Sequence, residues 1–344
     1  MIGRPPVLMI NIAVVGLGFM GATHLKAWRG IPGARLHAVV DGDARRLSGD
    51  LSSVGGNLTT TDAHYDFSDV RAYTKLEQAL ADAEVDAVDL CLPTDQHAVT
   101  TTAALRAGKH VLTEKPIALD AATAGTLCRE AATAGRILMA AHVLRFFPAY
   151  EKLASHVRAS SPIRSALFRR RCAAPGWSPW LTDLSRSGGA ILDTLIHDAD
   201  YCISLWGMPE AVRARGHRNL GRGIDVIHAD LIYPDLGPVI VAGGWHHPNA
   251  YPFSMEFTVV TDQATLEWSS SAAADFREYT ASGELNPTAL GDSDPFAAEL
   301  AYFADCAANN IQPDNCPPAQ SAMAVALIEK MVESRENNGA LIRC

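Results

Sequence analysis

The sequence predicts an α/β protein in two parts: a doubly wound parallel sheet, then an α+β domain with a large, open, mainly antiparallel sheet. Three observations carry this. From Leu8 to about Val143, short apolar runs that do not alternate take turns with helical segments, as strands buried on both faces do. The first run ends in a glycine-rich turn that opens a helix. Beyond about Arg145 the strand-like segments alternate and are punctuated by Pro, Asp and Gly, as in an antiparallel sheet. The domains are therefore drawn at 1–144 and 145–344.

In order along the first domain, Leu8–Val15 is a β-branched run, and the glycine turn after it opens a helix through Trp28. Leu36–Val40 is a second strand closed by Asp41, and Val85–Leu92 a third ended by Pro93. An Ala- and Thr-rich helix, the strand His110–Thr113, the helix Ala121–Ala134 and the strand Arg136–Val143 follow. In the second domain a helix near Pro148–Arg158 leads into Arg164–Cys172, and a single helix spans Gly189–Trp206, stopped by Gly207. The alternating segments are Ala211–Gly216, Ala229–Tyr233, Val239–Trp245, Phe253–Thr261 and Ala264–Trp268. Thr280–Asp294, rich in Gly, Pro, Asp and Ser, reads as a loop, and helices near Phe296–Asn309 and Gln320–Glu336 close the chain.

Composition narrows the function classes. The 344 residues are 48% hydrophobic and 19% charged, enough for a sizeable core in two domains. A formal net charge of −9 leaves no basic excess for nucleic acid. No run approaches the ~20 apolar residues of a membrane span. The stretch Met1–Leu8 lacks the pattern of a secretory signal. Seven scattered cysteines without a CxxC pair point to reduced thiols in a cytoplasmic protein, with Cys91 and Cys202 as small core residues.

Gly16-Leu17-Gly18-Phe19-Met20-Gly21 has the context a dinucleotide turn needs: a strand before, a helix after, and an acid about 20 residues on. Gly16 permits the tight turn, Gly18 lets backbone approach a pyrophosphate, and Gly21 allows close helix–strand packing. The helix N-terminus offers free N–H groups to the phosphates. Asp41, closing the second strand, suits the ribose hydroxyls and favours NAD, with NADP as the alternative because Arg45 and Arg46 lie close by. The first domain thus reads as a Rossmann domain.

Further motifs resemble the family named for glucose–fructose oxidoreductase, inositol dehydrogenase and the rhizopine-catabolism protein (Gfo/Idh/MocA). They are Asp86-Ala87-Val88 through Pro93-Thr94-Asp95-Gln96-His97, Gly108-Lys109-His110-Val111-Leu112-Thr113-Glu114-Lys115-Pro116, and Arg145-Phe146-Phe147-Pro148. Gly188-Gly189 with Asp193 and His197, and Trp180 shortly upstream, complete the likeness, which fades after Trp206. The resemblance implies that Lys115 touches both the nicotinamide ribose and the substrate hydroxyl, with His197 as general base and Asp193 orienting or binding substrate. Pro93, Thr94, His97 and Glu114 would line the cofactor groove beside Gly16, Gly18, Phe19, Met20, Gly21 and Asp41. Arg145, Trp180 and Thr194 join Lys115, Asp193 and His197 as candidate substrate contacts. Leu195, where many relatives have glycine, and Val143, where asparagine is frequent, depart from the pattern and bear on the shape of the substrate site.

The residues agree with these roles on their own chemistry. Asp193 and His197 are four apart on the expected helix, hence neighbours on one face. Alcohol oxidation needs a base, which an imidazole supplies, and a positive group for the developing alkoxide, which an ammonium supplies. Lys115 follows a strand's C-terminal end, the edge where open α/β sheets bind ligands. Arg145 could instead form a structural salt bridge. His246-His247 beside Trp245 lacks an acid or thiol at ligand spacing, so no metal is expected. Arg169-Arg170-Arg171 reads as a solvated strand edge or an interface.

The expected activity is an NAD(P)-dependent dehydrogenase transferring hydride between a sugar, inositol or other polyol hydroxyl and the nicotinamide. Two readings stand beside it: a glycosidase using tightly held NAD for transient oxidation, and a non-catalytic dinucleotide-binding sensor. The expected partners are the small substrate and a second or further copies of the chain, in a homodimer or homotetramer built through the C-terminal sheet, where Ala229–Tyr233 and Val239–Trp245 could supply the face.

Overall fold

A computed structural model describes residues 9–56, 62–159, 162–271, 276–280, 282–288, 290–291 and 293–344. Leu8 and the stretch before it lie outside the described residues. The chain divides into two compact units. One comprises Met1–Ala118, Ala122–Val143 and Asp294–Ala319; the other Leu119–Ala121, Leu144–Ser293 and Gln320–Cys344.

The first unit holds a six-stranded, all-parallel sheet of β1 (Ile10–Val15), β2 (Ala34–Val40), β3 (Arg71–Tyr73), β4 (Ala87–Leu90), β5 (His110–Glu114) and β6 (Leu138–Ala141). The connections carry α1 (Phe19–Trp28), α2 (Ala44–Leu47), α3 (Leu76–Ala81), α4 (Thr94–Arg106) and α5 (Ala121–Ala134). The spatial order is β3-β2-β1-β4-β5-β6, so strand order reverses between β1 and β4, the crevice where doubly wound sheets bind ligands. Every residue of β4, β5 and β6 is buried. This is why those runs do not alternate.

The second unit begins with α6 (Pro148–Ala159) and β7 (Ile163–Cys172), then α7 (Leu184–Ser187), α8 (Gly189–Asp193) and α9 (Ile196–Trp206). There follow β8 (Ala211–Asn219), β9 (Ile224–Ile232), β10 (Val239–Trp245), β11 (Ser254–Thr261), β12 (Ala264–Ser269), β13 (Phe276–Thr280) and β14 (Gly283–Thr288). After α10 (Pro295–Asn309) come α11 (Pro318–Glu336) and β15 (Ile342–Arg343). Among the described residues the sheet has nine strands in the order β14-β13-β12-β11-β7-β10-β9-β8-β15. Its pairs are antiparallel except β7 with β10. Its inner face carries an aromatic core in which Tyr150 meets Tyr201, Phe257 and Trp268 edge-on, with ring centroids 4.8, 5.1 and 5.8 Å apart.

Four expectations change. The division at 144 omits Asp294–Ala319, which returns to the first unit: α10 is capped by Asp294, whose carboxylate accepts the Phe296 N–H at 2.9 Å, and it packs on α1 and β1. The Thr280–Asp294 loop contains a strand, because Thr280 closes β13 and Gly283–Thr288 pairs back on it as β14; residues 281, 289 and 292 lie outside the described residues. The run Arg169–Arg171 is no edge, since β7 lies between β10 and β11. Alternation sends Arg170 inward onto Asp198, while Arg169 and Arg171 turn outward onto Glu256. The fourth concerns the helix carrying Asp193 and His197. It is two helices, as the geometry around Thr194 explains below.

Candidate active site

The glycine turn leaves β1 on the switch-point side. Gly16 has φ +88°, and a Cβ there would stand 2.5 Å from the Cys91 carbonyl oxygen. A Cβ at Gly21 would stand 1.9 Å from the Gly16 carbonyl oxygen, so α1 lies too close to the turn for any side chain. Gly18 differs: it is the N-cap of α1, φ is −76°, and a Cβ there would meet nothing within 4 Å. Its bare side faces open space at an N-terminus that has no side-chain cap and no acid in its first turn. The half-buried Phe19 and Met20 follow it.

Asp41 sits where the turn can be checked against β2. Its Oδ2 accepts the Leu17 N–H at 2.7 Å and Arg46 Nη1 at 3.3 Å, and its Oδ1 accepts the Asp43 N–H at 2.8 Å. The carboxylate thus ties the end of β2 to the glycine turn. The cradle at Gly18, the open helix end and a fixed acid across the turn fit a dinucleotide. Because the space beside Gly18 is open and its φ is ordinary, Gly18→Val should leave the melting temperature almost unchanged while abolishing the rise that saturating NAD gives the parent chain. At 100-fold excess over Kd that rise corresponds to about 2.7 kcal/mol, readable by thermal shift. A large fall in melting temperature without NAD would mean the position serves the fold instead.

On the far side of the switch point, Pro93 caps α4, Thr94 begins it buried, and His97 lies a turn further on. His97 Nδ1 is 2.7 Å from the Pro116 carbonyl oxygen and Nε2 is 2.8 Å from that of Leu92. Burial pushes the His97 pKa down against the pull of those two carbonyls. The ring therefore pins the turn after β4 to the turn after β5. Both of its nitrogens are engaged with backbone. Lys115, half-buried, directly follows β5, and its peptide bond to Pro116 is cis. Glu114 Oε2 accepts the Lys115 N–H at 3.1 Å.

In the second unit α8 ends at Asp193 and α9 starts at Ile196. The break has a cause. Thr194 Oγ1 accepts the Trp245 indole N–H at 3.1 Å and lies 3.2 Å from Asp193 Oδ2, while the N–H groups of Thr194 and Leu195 both reach the Ala190 carbonyl. Asp193 and His197 are both half-buried, on consecutive helices instead of one helical face. Trp180, in a short turn at Pro179–Thr182, packs with Leu181, Ala190 and Trp245. Gly189, with φ +80°, brings the chain so close to Asp225 that a Cβ would stand 2.7 Å from its Oδ2.

Helix α9 is clamped from two sides. Arg145 Nε and Nη2 fork onto Asp200 at 2.8 and 2.6 Å, and Arg145 Nη1 donates to Gln320 Oε1 at 2.7 Å. Arg170 Nε donates to Asp198 at 2.8 Å. Two residues apart on a helix are about 200° apart, so the two pairs grip roughly opposite faces and leave His197 on a third. Arg145 has the salt-bridge geometry rather than that of a residue waiting for a ligand.

Residue patterns missed a buried cluster. Beneath the glycine turn, His24 of α1 is fully buried against Asp89 of β4, which also takes the Trp28 indole N–H at 2.7 Å. Cys91, expected as core filler, has its Sγ 3.4 Å from His24 Nδ1. An aspartate inside a run otherwise buried and apolar was the signal, since such a group must be paired. His246 and His247 have rings 4.1 Å apart, and His247 stacks on Tyr251 at 3.9 Å. Among the described residues no helix is long and apolar enough to cross a membrane.

Comparisons with known proteins bear on the family and the fold. Residues 10–142 match the model of the oxidoreductase family with an NAD-binding Rossmann fold, and residues 162–267 match the Gfo/Idh/MocA C-terminal domain. The myo-inositol 2-dehydrogenase of Thermotoga maritima is 29% identical over 198 residues, covering 58% of this chain and 55% of that protein. The scyllo-inositol 2-dehydrogenase (NADP(+)) of Bacillus subtilis is 26% identical over 246 residues, covering 70% and 64%. The crystal structure of aldose-aldose oxidoreductase from Caulobacter crescentus, 20% identical, superposes with a TM-score of 0.82 over 98% of this chain and 100% of that one. The chain spans about half the length of the first curated relatives it matches. With matches to both of its domains, and with the glycine turn and the Glu-Lys-Pro turn at one sheet edge, this chain belongs to the Gfo/Idh/MocA oxidoreductase family, and its first unit is an NAD-binding Rossmann domain.

Proposed function

We propose that the protein is an NAD-dependent dehydrogenase of a sugar, inositol or related polyol, with NADP as the second cofactor to test. The observation that carries this is the placement of Lys115 directly after β5, on the ligand-binding edge of a sheet whose switch point carries an open dinucleotide turn. Asp41 supports NAD, as a carboxylate repels a 2′-phosphate. Arg46, already in contact with it, is the group that would have to turn outward for NADP.

When bound, the nicotinamide accepts or donates a hydride. The chain supplies the rest. The Lys115 ammonium steadies the negative charge that grows on the substrate oxygen, and the His197 imidazole takes the hydroxyl proton. Asp193, Thr194 and Trp180 bind or orient the substrate, with Thr194 fixed by Trp245. Arg145 holds α9 through Asp200. Gly16, Gly18, Phe19, Met20, Gly21, Asp41, Pro93, Thr94, His97 and Glu114 form or support the cofactor groove.

The test is NADH formation, followed by absorbance, across a panel of inositols, aldoses and alditols, repeated with NADP. A substrate giving NADH confirms the class and names the member. Sugar release from glycosides without net NADH would replace this reading by an NAD-dependent glycosidase, and dinucleotide binding with neither activity would replace it by a sensor. We also propose a homo-oligomer formed through the outer face of the second sheet, where Ile240 is exposed beside Leu167 on β7. A monomer by gel filtration would refute it.

A further inference from the structure

The buried group beneath the glycine turn has a second attachment that points towards Lys115. His24 Nδ1 lies 2.9 and 3.1 Å from the two Asp89 oxygens, and its Nε2 lies 3.2 Å from Glu114 Oε1, as an ion pair rather than an aligned hydrogen bond. The other Glu114 oxygen, Oε2, accepts the Lys115 N–H. The chain of contacts thus runs Asp89–His24–Glu114–Lys115. It starts on β4, passes through the helix whose N-terminus opens at the glycine turn, and ends on the backbone that carries the lysine. His24 and Asp89 have no solvent exposure and Glu114 only 6%.

Burial works against charge on the His24 ring, yet the adjacent Asp89 carboxylate and then Cys91 raise its pKa well above the usual histidine value. A charged ring between two carboxylates is the arrangement that balances a desolvated site. His24, Asp89 and Cys91 also lie close enough together to suggest a metal. A charged His24 ring would leave no lone pair on Nδ1 for a metal, and that nitrogen faces both Asp89 oxygens with Cys91 Sγ against it. Trp28 occupies Asp89 Oδ2 as well.

We propose that His24 is a positioning residue for the nicotinamide end of the site: through Glu114 it holds the backbone at Lys115, and so fixes where that ammonium meets the cofactor ribose and the substrate oxygen. This rests on the reading of Lys115 given above. It also makes α1 a mechanical link, one end at the dinucleotide turn and its second turn steering the lysine.

The experiment compares binding of NAD with binding of ADP-ribose, which lacks the nicotinamide, to the full chain by calorimetry. His24→Gln is expected to leave ADP-ribose affinity within about twofold and to weaken NAD by about tenfold, the loss of one charge-assisted contact. Lys115→Met should do the same, and His24→Gln placed on Lys115→Met should add nothing further. If His24→Gln weakens both ligands alike, or adds fully to Lys115→Met, the residue is merely structural and the proposal fails. If Lys115→Met itself leaves the NAD to ADP-ribose ratio unchanged, the reading of Lys115 fails first, a result distinct from failure at His24. Should His24→Gln not fold, Glu114→Gln, which keeps the shape and removes the charge, must show the same selective loss of NAD. An unchanged ratio there overturns the proposal.

Discussion

Replacing Lys115 with methionine should reduce the turnover number by about 10²–10³-fold while leaving the protein folded and its ADP-ribose affinity intact. Methionine keeps the length of the stem but removes the charge, and the loss of one preorganised group that stabilises a developing oxyanion has this size. Lys115 is half-buried at a turn held by the Glu114 carboxylate and the His97 ring, so its backbone has no reason to move when the ammonium is gone. His197→Asn should cost a comparable 10²–10⁴-fold, the range for a general base. Because both would act on one transition state, the double variant should be little slower than the slower single one. Steady-state rates of NADH formation on the substrate found by the panel, with circular dichroism as a control on folding, decide this. Rates within a few-fold of the parent chain would remove both residues from the chemistry.

The second large effect falls on stability. Arg145→Met should destabilise the chain by about 3–5 kcal/mol, since it strands the Asp200 carboxylate where it has no solvent exposure. The Arg145 side chain is 3% exposed and that of Asp200 0%, and the guanidinium bonds Asp200 through Nε and Nη2 and Gln320 through Nη1. Urea unfolding should show the midpoint falling with the slope unchanged. Asp200→Asn should fall in the same direction, less far, because the amide keeps one acceptor for the fork. If instead the midpoint holds and the substrate KM rises, Arg145 is a substrate contact and the clamp on α9 is not what it contributes.

The parts of the site that could be read from the residues are those where the backbone dictates residue type. Gly16 and Gly21 are required by a turn with no room for a Cβ, and Asp41 by its place at the end of β2, so spacing alone finds them. The turn that carries Lys115 was legible because a Glu-Lys-Pro segment after a short strand resembles a family motif, while the role of its ammonium is the proposal made above. The Asp89–His24 pair was not, for its members are 65 residues apart and meet only because β1 and β4 lie side by side in the sheet, with α1 folded back over them. The break between α8 and α9 escaped for a similar reason: Thr194 is drawn out of helical register by Trp245, a partner that periodicity cannot see. Strand β14 was hidden by its own composition, since Gly, Asn and Pro read as a loop until β13 supplies a ladder for them. Arg169–Arg171 was misplaced because charge suggests an edge, whereas Arg170 has a buried carboxylate waiting for it.

The return of α10 to the first unit has a bearing on how the chain must be made. A ribosome releases the six parallel strands early, but the helix that lies on α1 and β1 is encoded after strands β7 to β14 of the second sheet. The nucleotide-binding half is therefore finished late, once residues up to about Ala319 have emerged, and until then the outer side of α1 lacks its cover. A fragment cut at Val143 would be missing a wall of its own house. Any attempt to graft this half onto another protein has to carry Asp294–Ala319 along, joined back by a short designed linker.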